Sequence, residues 1–127
     1  MSIRRALPQS RNIPAIKAFY LAGGQQPILD LAESMGLKFL SKEVDYGWPL
    51  ALGTAEIRLL DHVSAFGVFA NSGKRMEPTA ILKVENSQGD IIEEFDANKQ
   101  GDEVLDPQVA YLINSVLSDL GTRLGSS

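Results

Sequence analysis

Apolar positions recur along this chain with two periods, and glycine or proline marks most of the places where one pattern gives way to the next. A short helix is expected over Ile3 to Leu7, broken by Pro8, which fixes φ and has no N–H to donate. An irregular stretch through Gln9, Ser10, Arg11 and Asn12 then feeds a second helix, with Pro14 in its first turn and Gly23 after its last. Ile28, Leu31, Ala32 and Met35 fall at helical spacing, so Pro27 to Met35 reads as a third helix with Gly36 as a left-handed cap. Lys38 to Thr54 follows neither period and reads as a long ordered connection containing Tyr46-Gly47-Trp48-Pro49 and Gly53.

Helical spacing resumes from Leu59 to Asn71 through Leu60, Val63, Phe66, Phe69 and Ala70, with Gly73 as its end. That helix is apolar around much of its circumference, which predicts burial inside a larger domain. Strand periodicity follows in Ile81 to Glu85 and Ile91 to Phe95, a hairpin closed through Asn86 to Asp90 with Gly89 at positive φ. A polar, mobile connection is expected over Asp96 to Glu103. Asp106 then caps, and Pro107 opens, a helix whose stripe is Val109, Leu112, Ile113, Val116, Leu117 and Leu120. The fold class is therefore α+β: about five helices with one antiparallel hairpin. A two-stranded ribbon is marginal alone in water, and no sheet to receive it is legible, which suggests a piece of a larger domain; a hairpin laid across helices is the alternative.

Composition narrows the function. The 127 residues suffice for one folding unit, and 44% hydrophobic with 22% charged residues is ordinary globular usage. A net charge of -4, with Arg4 and Arg5 as the densest basic cluster, argues against nucleic acid as a partner. Having no cysteine excludes disulfides, thiolate metal sites and a cysteine nucleophile. No apolar run approaches the roughly 20 residues that span a bilayer, and the N-terminus lacks the layout of a signal peptide.

Several polar groups invite a chemical reading. Asp61 and His62 are adjacent, and neighbours on a helix point in different directions, so they do not form a dyad. Glu93-Glu94 alternates across a strand and Asp102-Glu103 lies in a polar loop, so both pairs read as solvated charge. Tyr46, Trp48 and Pro49 could wall a cleft or pin their own loop, and remain unassigned. Ser10-Arg11-Asn12 has two readings. Both Ser and Asn satisfy free amides at a helix entry, and both can also move or orient a proton in an active site.

The surrounding blocks favour the active-site reading. Ile3-Arg4-Arg5-Ala6-Leu7 followed by Ser10-Arg11-Asn12-Ile13-Pro14-Ala15-Ile16-Lys17 resembles the second active-site motif, SxN, of bifunctional class A penicillin-binding proteins. Later blocks keep that family's order: Tyr46-Gly47 with Leu50-Ala51-Leu52-Gly53; Ala65-Phe66 with Phe69-Ala70-Asn71-Ser72-Gly73; Pro78 with Ile81 to Val84 and Gly89; and Asp106-Pro107-Gln108-Val109-Ala110-Tyr111-Leu112. A lone SxN is a weak signal, whereas five blocks in order are specific. Pro8, Trp48 and Thr54-Ala55 depart from the usual pattern in loops.

The resemblance implies a central part of a transpeptidase domain of the β-lactamase-like fold, covering residues 1–127. In that family a serine of SxxK attacks the acyl-D-alanyl-D-alanine carbonyl beside its lysine, and SxN and KTG complete the site. Here no serine is followed three positions later by lysine, and no Lys-Thr-Gly occurs, so both motifs are expected outside the chain. Ser10 is then the expected proton relay and Asn12 the orienter of lysine and substrate amide, with Arg11 structural or a surface charge. The implied partners are peptidoglycan stem peptides and β-lactams, with no cofactor or metal; the parent is expected to be membrane-anchored with this domain on the extracytoplasmic side. The chain alone is expected to be inactive and, with faces left bare, to self-associate or partly rearrange. A noncatalytic binding or interaction domain on the same helical scaffold is the alternative.

Overall fold

The computed structural model describes residues 1–39, 44–96 and 98–123. Its elements run α1 (Ile3–Ala6), α2 (Asn12–Leu21), α3 (Gln25–Ser34), a 3-10 helix (Trp48–Leu52), α4 (Leu59–Ala70), β1 (Lys74–Arg75), β2 (Lys83–Glu85), β3 (Ile91–Glu94), β4 (Asp102–Glu103), α5 (Pro107–Leu117) and α6 (Leu120–Arg123). The α+β, helix-rich expectation is borne out. Boundaries differ in detail: Asn12 is the first residue of α2 rather than part of the loop before it, and α3 begins two residues before Pro27.

Helix ends are built in one recurring way. After α2 and α3 the chain makes paired bonds, Gly24 N–H to Phe19 O with Gly23 N–H to Tyr20 O, and Leu37 N–H to Ala32 O with Gly36 N–H to Glu33 O. These are Schellman closures, which need a left-handed residue at the second position. Gly23 (φ 93) and Gly36 (φ 102) supply it. Beyond α1 the same pair recurs, with Arg11 N–H to Ala6 O at 3.1 Å and Ser10 N–H to Leu7 O at 3.0 Å, but the left-handed residue is Ser10 (φ 52). At the end of α4 it is Ser72 (φ 54), followed by a 2.8 Å bond from Gly73 N–H to Val68 O. Asp106 caps α5 as expected, its Oδ1 accepting from Gln108 N–H at 2.7 Å.

The core is small. Met35 from the end of α3 packs with Ala65 and Val68 of α4, and Leu37, Phe69, Val104 and Leu105 close over them. Burial follows the expected stripes only in part: Met35 and Val116 are buried as expected, but in α3 Leu29 is buried while Leu31 is exposed, and in α5 Ala110 is buried while Val109 and Leu112 are exposed; Leu120 lies in the separate α6. The reason is steric: close approach of α5 to α4 selects alanine at the contact, which periodicity of large residues cannot report. Asn114 Nδ2 then bridges to Phe69 O at 2.6 Å.

The expected hairpin is present as β2–β3, with Gly89 at φ 90 and every residue of β3 exposed. A second ribbon was not legible in the sequence. Asp102 and Glu103, expected within a polar, mobile loop, instead form β4, which pairs antiparallel with β1, so that Lys74 faces Glu103 and Arg75 faces Asp102. The register sets residues of opposite charge against each other, although the Arg75 guanidinium itself pairs with Glu77, and the two-residue strands have no apolar pattern to announce them. Gly73 makes the junction possible: its carbonyl accepts from both Val104 and Leu105 N–H, and a Cβ there would stand 1.9 Å from Leu105 O.

Much apolar surface has no cover. On α4, Leu59, Leu60, Val63 and Phe66 are all at least half exposed. The chain presents 9413 Å² to solvent, against the roughly 6,600 Å² expected of a compact 13.8 kDa monomer. Among the described residues no helix is long and apolar enough to cross a membrane.

Candidate functional site

Ser10, Arg11 and Asn12 line the rim of a cleft of about 460 Å³. Its walls are apolar: Ile3, Ala6 and Leu7 from α1 and its end, Pro14, Ala15 and Ala18 from α2, and Ala51 and Leu52 from the 3-10 helix. The three motif residues are thus the polar groups of an otherwise hydrocarbon-lined hollow, a distribution suited to holding a ligand by shape and orienting it by a few hydrogen bonds.

Local chain geometry presents them. Closure of the turn after α1 holds Ser10 in the left-handed region, and α2 begins at Asn12 with Arg11 (φ -78, ψ 115) as its N-cap. No side chain caps α2. Among the described residues neither the Ser10 hydroxyl nor the Asn12 carboxamide makes a hydrogen bond, so the helix-entry cap that offered the bland reading is not formed. Arg11 is engaged elsewhere, its Nε donating to Gln9 Oε1 at 3.2 Å. A hydroxyl and a carboxamide uncommitted on one cleft rim can donate to and accept from a bound molecule.

The other candidates are dispersed. Arg58 grips Asp61 through Nε to Oδ2 at 2.8 Å and Nη2 to Oδ1 at 3.0 Å, and the buried Asp61 is committed to that pair. His62 stacks on Phe66 with centroids 5.2 Å apart, so adjacency in sequence yields no dyad. Glu93 and Glu94 lie on exposed β3, and Asp102 and Glu103 form the exposed β4, away from the cleft. Tyr46, Trp48 and Pro49 do not line the cleft; Ala51 and Leu52, just beyond them, do. Those two residues belong to the Leu50-Ala51-Leu52-Gly53 block, but small apolar side chains carry no chemical signal that would have singled them out.

No family model matches the chain. Among curated proteins it is 29% identical over 94% of its length to penicillin-binding protein 2D of Bacillus subtilis, and 29% identical over its whole length to penicillin-binding protein 1A of Neisseria lactamica. Penicillin-binding protein 1A/1B of B. subtilis is 29% identical over 92% of the chain. In these relatives the chain spans 16%, 16% and 13% of the full length. Over nearly its whole extent, then, the chain is similar to one short segment of class A penicillin-binding proteins, the same resemblance that the order of its sequence blocks carries.

Proposed function

We propose that these 127 residues are the SxN-bearing part of a transpeptidase domain that cross-links peptidoglycan stem peptides through a serine acyl-enzyme and is blocked by β-lactams. In that role the Ser10 hydroxyl relays a proton between nucleophile, lysine and departing amine, and the Asn12 carboxamide holds the lysine and the substrate amide. The reactive serine with its lysine, and the KTG strand, are supplied by a longer polypeptide, membrane-anchored and working on the extracytoplasmic side. Alone, the chain is inactive. One observation carries this reading: the hydroxyl and carboxamide of the motif line an apolar cleft and, among the described residues, make no hydrogen bond, instead of capping the helix that follows.

The test is covalent labelling with a fluorescent penicillin. The longer protein should form a one-to-one adduct, and the 127-residue chain none. Ser10→Ala or Asn12→Ala in the longer protein should slow acylation by about 100-fold or more, the scale of a lost proton-transfer or orienting group. A stoichiometric adduct on the 127-residue chain refutes the missing nucleophile. Absence of any adduct on the longer protein moves the assignment to a noncatalytic binding domain on the same scaffold.

A further inference from the structure

Two walls of the cleft come from distant parts of the chain: the motif lies at the start of α2, and the 3-10 helix carries Ala51 and Leu52. The two pack directly on each other, and a side chain from the start of α3 adds a polar tie. Gln25, the first residue of α3 and joined to α2 by the Gly23-Gly24 turn, reaches into the segment that enters the 3-10 helix. Its Oε1 accepts from Tyr46 N–H at 2.7 Å and from Gly47 N–H at 2.9 Å, and its Nε2 donates to Val44 O at 3.0 Å. Both lone pairs of the carbonyl and one amide hydrogen are thereby used, which leaves few other ways for that segment to sit.

The grip falls where the backbone is conformationally constrained. Gly47 is the N-cap of the 3-10 helix with φ 57 and ψ -155, a region open in practice only to glycine. Its N–H is shared between Gln25 Oε1 and Asp45 Oδ1, the latter at 3.1 Å. Four residues on, the chain delivers Ala51 to the cleft.

We infer that Gln25 is a positioning residue: its three-bond clamp on Val44, Tyr46 and Gly47 sets where the Ala51–Leu52 wall stands relative to Ser10 and Asn12. The claim rests on the reading of that cleft as part of a transpeptidase site. Methionine at position 25 keeps the length and helix propensity of the side chain and removes all three bonds. Glutamate keeps the two acceptor bonds, loses the donor, and adds a charge facing Asp45.

Amide exchange on the 127-residue chain tests the clamp itself. In Gln25→Met the Tyr46 and Gly47 amides should exchange about tenfold faster, with Val68 and Ala110 unchanged, and Gln25→Glu should fall between. Unchanged exchange at 46 and 47 overturns the clamp. In the longer protein, Gln25→Met should slow penicillin acylation about tenfold at an unaltered melting temperature, the loss expected when a wall shifts without unfolding. Released amides with unaltered acylation overturn the positioning role. If the unmodified longer protein forms no adduct, it is the transpeptidase reading that fails, and amide exchange still decides whether Gln25 holds the wall.

Discussion

Ser10 occupies a position where glycine is the easier residue, and replacing it separates the conformational cost of the motif from its chemistry. A residue with a Cβ costs roughly 1–2 kcal/mol in the left-handed region, from the approach of Cβ to its own carbonyl. Glycine removes that cost but carries about 0.5–1 kcal/mol more backbone entropy in the unfolded chain. The Ser10 hydroxyl makes no hydrogen bond among the described residues, so its removal forfeits no bond. Both backbone closures, to Ala6 O and Leu7 O, survive the change. Ser10→Gly should therefore stabilise the fold by about 0.5–1 kcal/mol, a rise in melting temperature of roughly 2–5 °C for a chain of this size. Ser10→Ala keeps the Cβ and should gain nothing. Thermal and urea unfolding followed by circular dichroism on both variants give the comparison. If Ser10→Gly is no more stable than Ser10→Ala, the strain argument is wrong. In the longer protein the same glycine should raise stability while lowering acylation, the opposition expected where a site residue is kept against local preference. Ser72→Gly serves as the control: it shares the conformation, lies outside the cleft, and should change stability without changing acylation.

Gly73→Ala should be far more damaging, on the order of 3 kcal/mol, because the new Cβ would overlap Leu105 O and force apart the junction that seats Val104 and Leu105 on the core; loss of the cooperative unfolding transition, or a large fall in its midpoint, is the expected readout, and a neutral result would show that the junction can relax. The uncovered area leads to a prediction about assembly. About 2,800 Å² of surface beyond that of a compact monomer exceeds the roughly 1,600 Å² of an ordinary protein interface. The isolated chain should thus self-associate at micromolar concentrations, and Val63→Glu with Phe66→Glu on α4 should reduce this; a monomer in sedimentation velocity before any substitution contradicts it.

Local rules carried much of the description. The Asp106-Pro107 start of α5, the left-handed ends at Gly23 and Gly36, and the Gly89 hairpin follow from dihedral preferences and nearby hydrogen bonds, which act over a few residues and are written in consecutive letters. The motif Ser10-Arg11-Asn12 was visible for a different reason: its neighbours keep a recognisable order. What the sequence hid were pairings between remote segments. Asp102-Glu103 reads as surface charge until it pairs with Lys74-Arg75, and Gln25, which falls between two expected helices, carries no signal until Val44 to Gly47 folds over it.

For the site, the division is similar. The letters alone determined which groups are present, a hydroxyl and a carboxamide two residues apart at a helix entry, and that no Ser-x-x-Lys accompanies them. Tertiary structure decided that these groups stand on the rim of a hollow floored by alanine and leucine from three elements, and that their hydrogen-bonding capacity is not consumed by the helix itself. A cap or a relay can be built from the same two side chains; the choice between them depends on where neighbouring backbone amides point and what lies across the gap, and those are properties of packing that no spacing of residues encodes.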